Sequence, residues 1–365
     1  MAQMTTAASA QLRWYDYVFA DGTEKSQILW NEVCKEGESS LLICGAGFDP
    51  RTLDTPRLIA EQHWGGLTVL ALKPSVSGEH DDAEAAATEN EAELQRLFGS
   101  QLTILDSPQV LDPNTVGTVL SRQLQAEHRV LEFDTVIVDM SGLPSSISFT
   151  VLQLLLQQSL PDVADGRRFD GNLLVTVSED VSTDARIIAS GLDAPGTLAG
   201  FERLPDVSKT CIWVPVLGAG AGEELRALTN LLEPDEVCPV LPFPSRNPRR
   251  GDELVLEHRA LLIDELQFEP RNVLYASETN PFDLYRQLVW LADRYRTALA
   301  PLGGATIVVS EHTSKILSLG VLLAAHEANI VVGHVRPMAY RLDGSGPVDR
   351  EPWIYTAWLT GKPYK

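Results

Sequence analysis

The chain has 365 residues, 44% of them hydrophobic, and a formal net charge of −21 at pH 7. This length suits two α/β units better than one average domain. The charge opposes non-specific binding to DNA or RNA, and no apolar run of ~18 residues predicts a transmembrane helix.

Apolar, β-branched runs alternate with helical patterns along most of the chain. The first part predicts strands at 40–44, 67–72, 102–105, 135–140, 173–177 and 211–217, with helices at 52–63, 82–98, 115–127, 148–158 and 223–232. Such alternation is typical of a Rossmann-like parallel sheet covered by helices on both faces. The fold class predicted is therefore α/β, with a second, smaller α/β part.

The domain boundary is predicted in a proline-rich segment. Prolines at 239, 242, 244 and 248 disfavour regular elements there. We therefore predict an N-terminal Rossmann-like domain over 1–238, a crossover over 239–254 and a smaller C-terminal α/β domain over 255–365. The last part predicts strands at 273–276, 305–309, 330–334 and 352–360 and helices at 281–299 and 314–328.

The first predicted strand runs into a Gly-x-Gly turn, Gly45 to Gly47, followed by Asp49 and Arg51. Glycine lets the backbone approach a ligand closely, so these four residues are candidate ligand-binding residues. The acidic residue that would hold a ribose diol after the next strand is replaced by Lys73. A tight turn stabilised by an ion pair of Asp49 with Arg51 or Arg57 is the alternative.

The string GAGFDPR at 45–51 is similar to the GAGLDTR motif of leucine carboxyl methyltransferase-like enzymes. That resemblance implies S-adenosylmethionine as a cofactor and a transferase working at the Gly45–Arg51 loop.

A second junction follows the strand predicted at 135–140. Asp139 and Ser141 precede a helix with further serines at its start. An acidic residue there can cap the next helix, hold a magnesium ion or orient a ribose. If the two strands are neighbours, Asp139 and Gly45 share one crevice.

A third junction carries glycines at 218, 220 and 222. Glu223 and Glu224 stand in the first turn of the next helix and oppose an anion there. We therefore interpret this junction as a structural turn in preference to a phosphate site.

The fourth junction is the most informative. The strand at 305–309 is followed by a polar loop and then an apolar helix; the candidate ligand-binding residues in the loop are Ser310, His312, Thr313, Ser314 and Lys315. The helix start leaves backbone N–H groups free and carries partial positive charge, to which Lys315 adds a full charge. The sequence therefore predicts an anionic, nucleotide-like ligand; a capped core helix with an exposed Lys315 is the alternative.

Over Ala305–Ala325, this strand, hydroxyl-rich loop and helix with a small residue, Gly320, one turn in resemble the ligand-binding unit of CARF-type sensors. Those Rossmann-like domains bind cyclic oligonucleotides, so the resemblance implies a nucleotide or cyclic oligonucleotide as ligand.

No catalytic triad, acid/base dyad or metal motif is legible, so the catalytic residues are unknown and no metal is expected. The leading hypothesis is a cytoplasmic protein that binds a nucleotide or a nucleotide-derived anionic signal and acts as a sensor or as an accessory subunit of a larger assembly. The alternatives are an adenosylmethionine-dependent transferase and a non-catalytic structural partner with a degenerate Rossmann-like site. We expect a protein partner or a homo-oligomer. We expect no direct binding to a nucleic acid and no association with a membrane.

Overall fold

A computed structural model describes residues 12–74, 81–106, 116–160, 168–180, 183, 186–201, 208–343 and 351–364. The strands are β1 (Val18–Asp21), β2 (Ser40–Gly45), β3 (Leu67–Lys73), β4 (Leu102–Asp106), β5 (Thr135–Asp139), β6 (Asn172–Glu179), β7 (Ile187–Leu192), β8 (Gly196–Thr197), β9 (Thr210–Val216), β10 (Glu236–Val237), β11 (Val240–Pro242), β12 (Leu274–Ala276), β13 (Ala305–Glu311), β14 (Val331–His334), β15 (Pro337–Leu342) and β16 (Trp353–Thr360).

The α-helices are α1 (Thr23–Val33), α2 (Asp54–Ala60), α3 (Asp81–Phe98), α4 (Val116–Ala126), α5 (Ser145–Gln158), α6 (Gly222–Leu232), α7 (Arg250–Glu257), α8 (Pro281–Leu299) and α9 (Lys315–Ala328). None of the helices in the described residues is long and apolar enough to span a membrane.

The predicted α/β fold is confirmed, and it takes the form of two mainly parallel sheets and an antiparallel pair of β7 with β15. Sheet 1 has the order β1-β16-β6-β5-β2-β3-β4. Sheet 2 has the order β12-β11-β9-β13-β14-β8, with β10 also paired to β9. Every residue of the central strands β2 and β5 is buried, as expected of parallel strands covered on both faces.

The two sheets contain the same topological unit. In sheet 1 the strands β4-β3-β2-β5-β6 lie side by side, and in sheet 2 the strands β12-β11-β9-β13-β14 lie in the corresponding order. If the strands of each unit are numbered along the chain, both orders are 3-2-1-4-5. The chain thus contains two copies of one structural unit, although their sequences show no strong repeat.

The sheets divide the chain differently from the predicted domain boundaries. The strand at 210–216, predicted in the N-terminal domain, is β9 and lies in sheet 2. The last strand, β16, returns to sheet 1 and pairs antiparallel with β6 and β1. The proline-rich segment at 239–254 contains β11, whose amino-terminal residue Val240 pairs with Val216 of β9, so it lies within sheet 2.

A helical layer between the sheets holds the largest core cluster. It includes buried side chains of α4, α5, α8 and α9 together with residues of both sheets. The α9 residues from Ile316 to Ala325 are buried without exception, as expected of an apolar helix enclosed on all sides. The helices α1, α2 and α3 cover the outer face of sheet 1, and α6 and α7 cover that of sheet 2.

Local signals explain how α8 and α9 begin and pack. The Asn280 side chain caps α8 by accepting a hydrogen bond from the Phe282 N–H, and Pro281 occupies the first helical position. Gly320 then lets α9 approach α8, because a Cβ atom at this position would lie 2.5 Å from the Pro281 carbonyl oxygen. The small residue predicted one turn into α9 therefore has a packing role.

We predict that Gly320→Ala lowers the free energy of unfolding by about 1–3 kcal/mol, the usual cost of overpacking a core. Denaturant unfolding measures this change. Gly222→Ala is the matched control, because a Cβ atom added there would meet no atom of the described residues within 4 Å, and it should be neutral or slightly stabilising. Equal effects of the two substitutions would contradict the packing role of Gly320.

Candidate functional site

Each sheet has one topological switch point, and the predicted ligand loops flank both. In sheet 1 the strand order reverses between β2 and β5, and in sheet 2 it reverses between β9 and β13. Open α/β sheets bind ligands outside the carboxyl ends of their strands at such points. The four junctions found in the sequence therefore pair two by two, the first with the second and the third with the fourth.

The two loops of the sheet 1 switch point pack backbone against backbone. A Cβ atom on Gly45 would lie 2.5 Å from the carbonyl oxygen of Gly142, and one on Gly142 would lie 2.2 Å from the Thr52 hydroxyl oxygen. Gly47 is less constrained, since a Cβ atom there would lie 3.6 Å from the nearest Pro74 atoms. Gly45 is thus needed for the contact between the two loops. The loops after β2 and β5 are neighbours, as expected, but the Gly142 backbone fills the crevice between them.

The Asp49 carboxylate is paired within its own loop. It accepts hydrogen bonds from the Arg51 backbone N–H at 2.9 Å and from the Arg51 guanidinium at 2.8 and 3.0 Å. The Arg51 side chain is only 4% exposed. This is the ion-paired turn that the sequence offered as the alternative to a ligand loop, whereas Arg57 pairs with Glu93 instead.

Asp139 and Ser141 form a fully buried hydrogen-bond network. The Ser141 N–H and hydroxyl both donate to the Asp139 carboxylate, and the Ser141 oxygen accepts from the Ser178 N–H. The Asp139 carboxylate therefore orders the turn after β5. It does not cap the next helix, because the N-cap of α5 is Pro144 without a side-chain hydrogen bond, so the capping prediction is wrong. Its roles with a magnesium ion or a ribose stay predictions. The pKa of Asp139 is raised to about 7, mainly by burial and also by the nearby Asp54 carboxylate, against the opposing effect of the Ser141 hydrogen bonds.

The sheet 2 switch point holds a chain of hydrogen bonds through His312. The Trp213 indole N–H donates to the Ser310 hydroxyl oxygen at 3.0 Å, and that hydroxyl lies 3.0 Å from His312 Nε2. His312 Nδ1 lies 3.0 Å from a carboxylate oxygen of Glu224. One set of protons satisfies all three contacts: Ser310 donates to Nε2, and Nδ1–H donates to Glu224.

This chain has the connectivity of a serine–histidine–carboxylate relay, but its serine is inaccessible. Ser310 is 0% exposed, and its oxygen is already engaged by the indole of Trp213. A nucleophile must reach its substrate, so the relay positions the loop in this conformation and does not attack a substrate. Glu224, which the sequence analysis placed in a structural turn, is the residue that orients His312.

The start of α9 is occupied by a carboxylate of the protein itself. The Ile316 N–H donates to Glu179 Oε1 at 2.8 Å, and the Lys315 ammonium donates to the Leu143 carbonyl oxygen at 2.8 Å. The Ile316 N–H, one of the backbone groups at the helix start that the sequence predicts to be free, is therefore engaged by the protein, and anion binding at this helix start stays a prediction. The physical reason for this contact is that β6 of sheet 1 ends beside α9, so Glu179 satisfies the positive helix start.

Three contacts bring the carboxyl edges of the two sheets together. Two of them are the Lys315 and Glu179 hydrogen bonds just described. The third is Arg246, whose guanidinium donates to the Tyr355 hydroxyl of β16 and lies 5.7 Å from the Trp353 ring centre. Arg246, in the loop after β11, thus links sheet 2 to the last strand of sheet 1.

Where the edges meet, Tyr340 of β15 lies between residues of both sheets. Its ring centre is 5.5 Å from that of Phe48, which follows β2. The pKa of Tyr340 is raised to about 12, mainly by burial. The carboxylates of Glu224 and Glu311 beside sheet 2 and of Asp49 after β2 contribute in the same direction. We call the region formed by Phe48, Asp49, Glu224, Glu311 and Tyr340 the edge junction.

Two further residues, His334 of β14 and Arg336 after it, lie beside the edge junction. His334 Nδ1 lies 4.0 Å from Glu311 Oε1, and burial lowers the pKa of His334 against the opposing effect of Glu311. Arg336 pairs with Asp193 at 3.0 Å. Sequence reasoning missed Glu179, Glu311 and Tyr340 because their roles arise from contacts between elements distant in the chain; only the position of Glu311 at the end of a buried strand was a usable signal.

The edge junction is a polar site without a metal cluster. Within the described residues, no group of three or more His, Cys, Asp or Glu side chains is arranged to hold a metal ion. The four cysteines are buried and unpaired, and burial raises the pKa of each thiol. Thr313 and Ser314 lie half-buried in the loop before α9, so ligand binding by them stays a prediction.

No family of known proteins matches the sequence, and no curated protein matches it. Among solved structures, the chain is similar to one assigned as a universal stress protein from Pseudomonas aeruginosa UCBPP-PA14, at 12% identity and a TM-score of 0.22, covering 81% of this chain and 92% of that chain. It is also similar to a universal stress protein from Archaeoglobus fulgidus DSM 4304, at 10% identity and a TM-score of 0.21, covering 80% and 94%. These values support no functional inference, so the function is argued from the site.

We predict that Gly45→Ala destabilises the protein by about 1–3 kcal/mol, because its Cβ atom must displace the Gly142 backbone. Gly47→Ala is the control and should change the free energy of unfolding by much less, since its Cβ would make only ordinary contacts. Thermal and denaturant unfolding of both variants measure the difference. A Gly47 variant as unstable as the Gly45 variant would show that the whole loop, and not the one contact, is constrained.

We also predict that Asp139→Asn becomes more stable relative to the wild type as the pH rises from 5 to 8. An unfolded Asp has a pKa near 3.9, whereas folded Asp139 has a raised pKa of about 7. Between these values the folded state retains a proton that the unfolded state releases, so wild-type stability declines as the pH rises through this window. Asparagine does not titrate but keeps an oxygen that accepts the Ser141 hydrogen bonds. Melting temperatures that differ by a constant amount from pH 5 to pH 8 would contradict this assignment.

Proposed function

We propose that the protein binds a nucleotide or a nucleotide-derived small molecule at the edge junction. In this proposal it acts as a sensor or as an accessory subunit of a larger assembly rather than as an enzyme. The observation that carries the proposal is the position of Tyr340, which packs on Phe48 after β2 and interacts electrostatically with the carboxylates of Glu224 and Glu311 beside the sheet 2 switch point. A single small molecule there contacts both repeats.

The chemistry of the edge junction supports a ligand with a base and a sugar. The Phe48 and Tyr340 rings are tilted by 41°, and either face suits stacking of a planar base. The Glu224 and Glu311 carboxylates are hydrogen-bond acceptors of the kind that hold ribose hydroxyls. Glu224 is 25% exposed and Glu311 is 9% exposed, so both remain partly accessible.

The position of the phosphate follows from the charges. Glu179 occupies the start of α9, so a ligand phosphate must either displace this carboxylate or lie elsewhere. Arg336, whose side chain is 31% exposed, is the accessible cation beside Tyr340. We therefore place the phosphate toward Arg336 and assign Lys315 to the contact between the repeats.

The transferase alternative has less support. The Gly45–Arg51 loop is filled by the Gly142 backbone and by the Asp49–Arg51 pair. Lys73, at the end of β3, pairs with Glu91 at 2.5 Å and supplies no ribose acceptor. The relay through His312 does not favour hydrolysis either, because Ser310 is buried.

Isothermal titration with adenosine, AMP, cyclic tetra-adenylate and S-adenosylmethionine tests the proposal. We expect one of the nucleotides to bind at a 1:1 ratio and to raise the melting temperature, since a ligand at 100 times its Kd stabilises by about 2.7 kcal/mol. Tyr340→Ala in β15 and Phe48→Ala after β2 should each weaken binding by about tenfold or more through lost stacking.

Tyr15→Ala is the matched control, because Tyr15 is 57% exposed and is not part of the edge junction. Nucleotide affinities unchanged by both Tyr340→Ala and Phe48→Ala would remove the ligand from the junction. Binding of S-adenosylmethionine alone would favour the transferase, and no binding of any ligand would favour the non-catalytic structural partner.

A further inference from the structure

A second candidate site lies at the opposite edge of sheet 2 from the edge junction. A pocket of about 390 Å³ opens at the amino ends of β11 and β12, beside the carboxyl-terminal half of α8. Leu274, Leu291 and Ala298 contribute apolar surface to it. Its volume falls within the lower part of the range that small-molecule sites occupy.

The rim of this pocket combines an exposed indole with two guanidinium groups. Trp290 is 54% exposed, and the guanidinium carbon of Arg294 lies 4.4 Å from its ring centre. Arg271 supplies the second guanidinium. Its ion pair with Glu269, 3.7 Å long and with both side chains more than 60% exposed, is too solvated to neutralise it strongly.

The remaining polar groups of the pocket are already hydrogen-bonded. The Asn272 amide donates to the Glu236 carboxylate at 2.6 Å. The Tyr295 hydroxyl lies 3.4 Å from the Cys238 sulfur. The groups left to meet a ligand are therefore the apolar floor, the Trp290 indole and the two guanidiniums, on a chain whose net charge is −21.

We propose that this pocket binds a small anion with a planar apolar body, such as an aromatic carboxylate or sulfonate. The ring lies between the apolar floor and Trp290, and the acid group pairs with Arg294 and Arg271. Guanidinium groups match carboxylate and sulfonate oxygens in geometry, and a stacked arginine loses little freedom on binding. The inference is independent of the function proposed for the edge junction.

Titration with 1-anilinonaphthalene-8-sulfonate, followed by its fluorescence, tests this site. We expect saturable 1:1 binding to the wild-type protein and weaker binding at high salt. Arg294→Gln and Trp290→Ala should each raise the Kd by about tenfold, as expected for loss of a charge-assisted contact or of an aromatic wall. The neutral analogue N-phenyl-1-naphthylamine should bind more weakly than the sulfonate.

The chain offers a matched control at Trp353. This indole is 46% exposed and also has a guanidinium, that of Arg246, 5.7 Å from its ring centre, but it is not part of the pocket. Trp353→Ala should leave the Kd unchanged. Unfolding curves establish that each variant is folded. If Trp290→Ala does not fold, the Kd of Arg294→Gln alone tests the site.

Three outcomes would overturn the proposal. They are the absence of saturable binding by the wild-type protein, equal affinities for the sulfonate and its neutral analogue, and a Kd that responds to Trp353→Ala but not to Arg294→Gln. Each would show that the indole, the guanidinium and the pocket do not act together on an anion.

Discussion

The whole arrangement depends on the buried helical layer between the two sheets. Gly320 lets α9 pack against the start of α8, and His326 near the end of α9 hydrogen-bonds to Gln153 of α5 at 2.8 Å. Burial of this layer from both sides is the main apolar stabilisation that the two repeats share. Because α5 and α9 each follow the fourth strand of a repeat, their packing also sets the two carboxyl edges side by side.

Protein groups occupy most of the places where a ligand would be expected in a single Rossmann-like unit. Glu179 of one repeat takes the helix start of the other, and the Gly142 backbone fills the turn at Gly45. These contacts satisfy buried polar groups that would otherwise be costly to leave unpaired. The nucleotide site that we propose at the carboxyl edges is therefore the edge junction, which belongs to neither repeat alone.

Some of the acidic residues that give the chain its negative charge have specific structural roles. Several carboxylates at the switch points are internal hydrogen-bond acceptors: Asp49 for Arg51, Asp139 for Ser141 and Glu224 for His312. At the amino edge of sheet 2, Arg271 and Arg294 instead surround an apolar pocket. The two edges of the same sheet therefore differ in charge and suit different chemistry.

The sequence alone determined the α/β class, the loops that flank the switch points and the strands of the two repeats except β11, because these follow from local hydrophobic periodicity and turn chemistry. It also offered the Asp49–Arg51 pair, since residues two apart meet in a tight turn. It missed β11, which lies in the proline-rich segment, and the short or antiparallel strands β1, β7, β8, β10 and β15. Only the tertiary structure decided that β9 belongs to sheet 2, that β16 returns to sheet 1 and that Glu179 caps α9. Those outcomes depend on contacts between distant residues, such as Thr210 with Ala305 and Glu179 with Ile316, and no local pattern in a single sequence encodes which distant element will be the neighbour.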